Sequence, residues 1–151
     1  MQHKLYHLLL TLLIWLCANV VAYATHIRAG DLVAERISNT TLTYRFTLTI
    51  YRDVGGVDAD REVTFDFGDG STAKVPIASR SNLPQFSTEV ITYSVVHSYS
   101  GANLYSVGVG IDNRNANTLN IANSDQTPFY IQSSFFITPF LGLNRSPILT
   151  L

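Results

Sequence analysis

Between residues 41 and 52 apolar and polar side chains alternate without a break. Leu42, Tyr44, Phe46, Leu48 and Ile50 fall on one side, and Thr43, Arg45, Thr47, Thr49 and Tyr51 on the other. A period of two, rich in threonine and aromatics, gathers five apolar residues on one face only in a strand. Residues 31–37 predict a strand before it, with Ser38, Asn39 and Thr40 as the turn. Val63, Phe65 and Phe67 alternate with Thr64 and Asp66 and run into Gly68-Asp69-Gly70-Ser71. Asp-Gly at a strand end favours the positive backbone angles of a hairpin turn, and a short strand over 72–77 completes the hairpin.

Residues 78–86 show no pattern. Beyond them Ile91, Tyr93 and Val95 share a face, and after residues 100–103 so do Tyr105, Val107, Val109 and Ile111. The two runs read as a second hairpin, with Gly108 and Gly110 on its opposite face, where missing side chains allow close backbone approach or a bulge. The Asn-rich residues 112–126 predict turns, and 129–138 the last strand. About seven short strands, with no sustained helical period, predict an all-β antiparallel sandwich of immunoglobulin type over residues 25–140. Residues 141–147 read as a linker, and 148–151 begin another apolar alternation, as though a further domain followed.

The start of the chain follows a different pattern. Lys4, flanked by His3 and His7, precedes 14 apolar-rich residues from Leu8 to Val21, and Ala22-Tyr23-Ala24 matches a small-x-small cleavage site. This arrangement predicts a secretory signal peptide over residues 1–24, too short in its apolar part for a membrane span. The remaining 127 residues contain no cysteine, because Cys17 lies in the leader. Disulfides, a thiol nucleophile and cysteine-ligated metals are thereby excluded from the exported part. Of ten Lys and Arg only Lys4 is in the leader, so nine face eleven Asp and Glu without clustering, and nucleic acid lacks an electrostatic footing. No second apolar stretch is long enough for a transmembrane helix.

Two separated motifs carry a resemblance. Val63-Thr-Phe-Asp-Phe-Gly-Asp-Gly-Ser71, followed about 25 residues on by Val96-His-Ser-Tyr99, Gly101 and Tyr105-Ser-Val107, resembles the polycystic-kidney-disease-type (PKD) domain family. That family has an aromatic-D-F-G-D-G strand and turn, then H-x-Y, a glycine and Y-x-V. The resemblance implies an immunoglobulin-like extracellular domain whose structural motif is Phe65, Asp66, Gly68, Asp69, Gly70, His97, Tyr99, Gly101 and Tyr105. Phe65 stands where the family usually has Trp. A second resemblance runs through Ala24-Thr-His-Ile-Arg-Ala-Gly30, Tyr44-Arg-Phe46, Asn113 to Asn117, Thr127-Pro-Phe-Tyr130 and Pro139 to Asn144. These segments look like the N-terminal region of large secreted Bacteroidetes proteins, often labelled gliding-motility-associated for their type IX secretion sorting domain. It implies an adhesin-like protein, secreted or at the cell surface, in which neighbouring immunoglobulin-like domains follow one another.

Candidate chemistry is sparse. Asp58, Asp60, Asp66 and Asp69 would be the oxygen ligands of a calcium ion, yet no D-x-D-x-D-G loop is present, and Asp69 beside Gly70 is what a turn requires. His97 near Asp66 suggests a general base, but no serine sits in a G-x-S-x-G elbow, so a hydrogen-bonded scaffold histidine is expected. No catalytic residue and no cofactor are assigned. Tyr51 and Tyr130 lie opposite the core-facing phase, with Phe136 beside Tyr130, and form a candidate contact surface. The reading is a non-enzymatic structural or adhesive module that contacts proteins or glycans. Its alternatives are a carbohydrate- or calcium-binding module and an accessory domain of a secreted hydrolase.

Overall fold

The computed structural model describes residues 27–56, 58–112, 114, 118–124, 127–138, 140 and 146. The leader, residues 113 and 115–117, and all of 141–151 except Ser146 therefore lie outside the described residues. Among the described residues there are seven strands: β1 (Ile27–Arg36), β2 (Thr43–Asp53), β3 (Glu62–Asp66), β4 (Thr72–Leu83), β5 (Thr88–Ser98), β6 (Leu104–Ile111) and β7 (Phe129–Phe136). One 3-10 turn, Pro84–Phe86, separates β4 from β5. Among the described residues no helix is long and apolar enough to cross a membrane.

All-β architecture and seven antiparallel strands agree with expectation, and the pairings fall into two halves, β1-β2-β5-β4 and β4-β3-β6-β7, that share β4. The strands form one sheet in the order β1-β2-β5-β4-β3-β6-β7, curled into a nearly closed barrel. The cause is β4. Its first half pairs with β3 from Thr72 to Pro76, and its second half pairs with β5 from Ile77 to Leu83, with a register shift between Ile77 and Ser79. The bulge lets one strand turn the corner between the two halves.

The patternless residues 78–83 are thus a strand. They are mostly exposed, so main-chain pairing with β5 holds them rather than burial, and no apolar alternation is needed. The second expected hairpin is also corrected. β5 pairs with β2 along its whole length and with β4, whereas β6 pairs with β3 and β7. Residues 99–103 carry the chain from one half of the barrel to the other.

The inward phase of each strand builds the core. Phe46, Leu48 and Ile50 of β2, Ile91 and Tyr93 of β5, Phe65 of β3, and Val107 and Val109 of β6 are fully buried. Each such side chain contributes roughly 1.5–3 kcal/mol of apolar burial. β7 is the weakest wall, since Phe129, Ile131 and Phe135 are only half-buried against the core. The Tyr130 ring lies over the outer face of β6 so closely that a Cβ at Gly108 would meet its hydroxyl at 2.1 Å, whereas one at Gly110 would be in ordinary contact at 3.7 Å, so close approach accounts for Gly108 alone.

Candidate functional site

The two halves of the sequence motif meet at one end of the barrel. After β3 the chain turns through Gly68 and Gly70, both at positive φ (74° and 87°). Gly68 is required twice over, because a Cβ there would lie 2.5 Å from the Ser106 carbonyl oxygen. Side chains brace the turn. Asp66 accepts the Gly68 N–H at 2.9 Å, and Asp69 Oδ1 accepts the Ser71 N–H at 2.9 Å and its hydroxyl at 2.6 Å.

The other Asp69 oxygen faces His97 Nε2 at 2.7 Å. Partial burial alone would raise the Asp69 pKa, but the Ser71 and His97 bonds outweigh it and hold the carboxyl down to about 2. An ionised carboxylate only accepts, so Nε2 carries the proton. The His97 ring lies flat on Phe67, with centroids 4.0 Å apart and planes 7° from parallel. Two residues on, the Tyr99 hydroxyl donates to the Phe67 carbonyl at 3.0 Å, and burial pushes its pKa up. Tyr105 donates to the Gly101 carbonyl at 3.1 Å, its ring 4.1 Å from that of Tyr99. Phe65 is fully buried beside Phe67.

This corner brings the motif residues together, although a Cβ at Gly70 or Gly101 would meet nothing within 4 Å, and Gly101 takes part through its carbonyl. His97 pairs with Asp69 rather than Asp66. Ser71 and His97 both donate to the same carboxylate, so the hydroxyl is not presented to the imidazole. That is the reverse of a nucleophile–base pair, where the base accepts from the hydroxyl.

The four aspartates are not gathered in one place. Asp58 binds Arg80 at 2.7 Å, and this bond lowers its pKa; Asp60 precedes β3 and its main-chain carbonyl accepts the Tyr93 hydroxyl at 2.7 Å. Asp66 and Asp69 flank the turn at the far end of β3. Among the described residues no group of three or more His, Cys, Asp and Glu side chains could hold a metal ion.

At the Asp58 end lies a charged cluster that sequence reasoning missed. Arg52 and Glu89, both buried, sit directly opposite each other on β2 and β5. Their side chains join through Nε at 2.9 Å and a terminal nitrogen at 2.7 Å. Arg80 reaches Glu89 at 3.2 Å as well as Asp58, and Arg52 donates to the Gly56 carbonyl at 3.0 Å. Beside them Arg28 binds Asp53, the Phe86 carbonyl and Thr88. The positive and negative side chains balance, and they tie the β2–β3 loop to the 3-10 turn. A signal was present in the chain: Arg52 continues the inward phase of Tyr44 to Ile50, and Glu89 that of Ile91 to Val95.

The three candidate contact residues divide. Tyr130 (58% exposed) and Phe136 (61%) both point outward from β7, but six residues apart, about 20 Å along the strand. Phe136 lies opposite Leu104, itself 62% exposed. Tyr51 is half-buried on β2 between Ala29 and Val90. In comparisons with protein-family models, curated proteins and solved structures, nothing matches this chain.

Proposed function

We propose that the chain is a non-enzymatic, extracellular structural and adhesive module of PKD type, exported by residues 1–24 as part of a bacterial surface protein. The observation that carries this reading is the outer face of β6 and β7, where the register pair Leu104 and Phe136 presents two largely exposed apolar side chains on a sheet with a well-buried inner face. Exposed apolar neighbours on a rigid sheet favour contact with another protein surface. The motif residues support the same reading. His97, Asp69, Ser71 and Tyr99 are engaged in binding the β3–β4 turn to β5, which is scaffold work.

The test is adhesion. Beads coated with the exported chain should adhere to cells of the producing bacterium, and Leu104→Ser with Phe136→Ser should abolish adhesion without lowering the melting temperature. Equal adhesion by the double variant removes Leu104 and Phe136 from the reading. Turnover of chromogenic glycoside, ester or peptide substrates would replace the module with an enzyme, and a melting temperature lowered by chelator would favour the calcium-binding alternative.

A further inference from the structure

The barrel does not close evenly between β1 and β7. At one end side chains shut the seam, for the Phe129 ring packs so tightly on Gly30 that a Cβ there would lie 3.0 Å from it. Toward the other end Ser146 is bonded to β1, its N–H donating to the Ala34 carbonyl at 2.8 Å and its hydroxyl accepting the Ala34 N–H at 3.1 Å. Between these closures lies a groove of about 460 Å³, bounded by Asp31 and Leu32 of β1, residues 131–134 of β7 and Ser146. The stretch of β1 from Gly30 to Ala34 is about 13 Å long. The groove is therefore a short slot, closed at both ends, with the volume of a small-molecule site. An extended peptide has no passage through it.

Strand phase sets its walls. Leu32 is buried, so its neighbour Asp31 faces outward and stands on one rim, and the exposed Gln132 and Ser134 form the other. Ile131 and Ser133, half-buried, lie with Leu32 beneath. The main chain adds a donor and an acceptor. Both main-chain groups of Ala34 are turned away from β2, and alternate residues share that direction, so the N–H and C=O of Leu32 turn into the slot. Among the described residues no strand meets Leu32 on this edge, and the side chains of Asp31, Gln132 and Ser133 have no hydrogen-bond or ion-pair partner.

Donors and acceptors around one small space select the ligand. An anion would be repelled by the Asp31 carboxylate, and a hard metal ion would find one carboxylate where it wants several oxygens. An ammonium group carries donors only and would leave the Leu32 N–H and the Gln132 amide hydrogens unanswered. A sugar answers all of them. Adjacent hydroxyls donate to the two oxygens of one carboxylate in charge-assisted bonds, others pair with an amide that both donates and accepts, and the C–H face of the ring suits an apolar floor. We propose that the slot between β1 and β7 binds a neutral sugar unit of a glycan, with Asp31 and Gln132 as its hydrogen-bonding rims over Leu32 and Ile131. This site goes beyond the adhesive reading of Leu104 and Phe136 and does not depend on it.

Amide chemical shifts of the exported chain test the slot, with cellobiose, lactose and maltose as neutral probes and ethanolamine as a cationic one. At least one disaccharide is expected to shift the Leu32, Gln132 and Ser133 amides saturably at millimolar concentration, with ethanolamine binding more weakly. Asp31→Ala and, separately, Gln132→Ala should each weaken that binding by at least about tenfold without lowering the melting temperature, because both side chains stand on the rim. Leu104→Ser with Phe136→Ser should leave it unchanged, so the slot and the adhesive patch fail independently. The proposal is overturned by no saturable shift with any of the three disaccharides, by shifts centred on Leu104 and Phe136 instead, by rim variants that bind as the parent does, or by ethanolamine binding as tightly as the best sugar.

Discussion

The imidazole Nε2 of His97 donates to the carboxylate of Asp69 across 2.7 Å, joining β5 to a turn 28 residues earlier in the chain. The bond fixes the sign of a pH effect. The folded carboxyl titrates at about 2 against an ordinary 3.8, so its stabilisation is complete above the ordinary value and is lost as pH falls from about 4 toward 2. Asp69→Asn should be less stable than the parent at pH 7, with the gap closing as the pH approaches 2. Urea midpoints measured across that range check it, and a constant gap would mean that the carboxylate charge is irrelevant.

Arg52 and Glu89 are a buried ion pair with an asymmetric response to substitution. Glu89→Ala leaves the Arg52 guanidinium buried without its principal anion and should cost about 3–5 kcal/mol. Arg52→Met combined with Glu89→Leu removes both charges together and should recover most of that loss in chemical denaturation. If the double variant were as unstable as the single one, packing around the pair rather than charge would be responsible.

The two turn glycines separate backbone strain from crowding. Gly70→Ala meets only the positive φ and should cost about 1–2 kcal/mol. Gly68→Ala meets the same strain and also the Ser106 backbone, adding about 1–3 kcal/mol. Equal losses would show that β6 gives way.

On the outer face, a Cβ at Gly108 would lie 2.1 Å from the Tyr130 hydroxyl, the far end of a side chain that can swing into solvent. Gly108→Ala should therefore change stability by less than about 1 kcal/mol, because the strand also gains from losing a glycine. Tyr130 should become more reactive toward nitration. An unchanged nitration rate would place the ring elsewhere.

Local pattern was legible wherever one face of a strand meets the core. β2 from Tyr44 to Ile50 and the turn after β3 were readable residue by residue, because the inward side chains there are apolar and each positive φ in the turn falls on a glycine. The second half of β4 was not, since a bulge breaks its phase and its side chains stay in water. The partner of β5 was equally hidden: alternation marks a strand but does not name its neighbour, and adjacency in sequence pointed wrongly to β6. Of the candidate site, the motif's convergence was legible only as a linked pair of segments. The Arg52–Glu89 pair required noticing charges in phase with a core. Tyr51 looked outward by phase, yet neighbouring strands half-cover it.

The pairing of β2 with β5 also governs how this chain must reach its native state. It joins residues 37 apart at Arg52 and Glu89 and 55 apart at Thr43 and Ser98. The intervening hairpin shortens that span only after β4 has found β5. Loop closure must thus precede most of the reward, and folding belongs in the millisecond-to-second range of non-local β topologies rather than the microseconds of helical bundles. Zipping that begins at Arg52 and Glu89 closes the smaller loop first, so the buried ion pair stands at the end from which the β2–β5 pairing can grow.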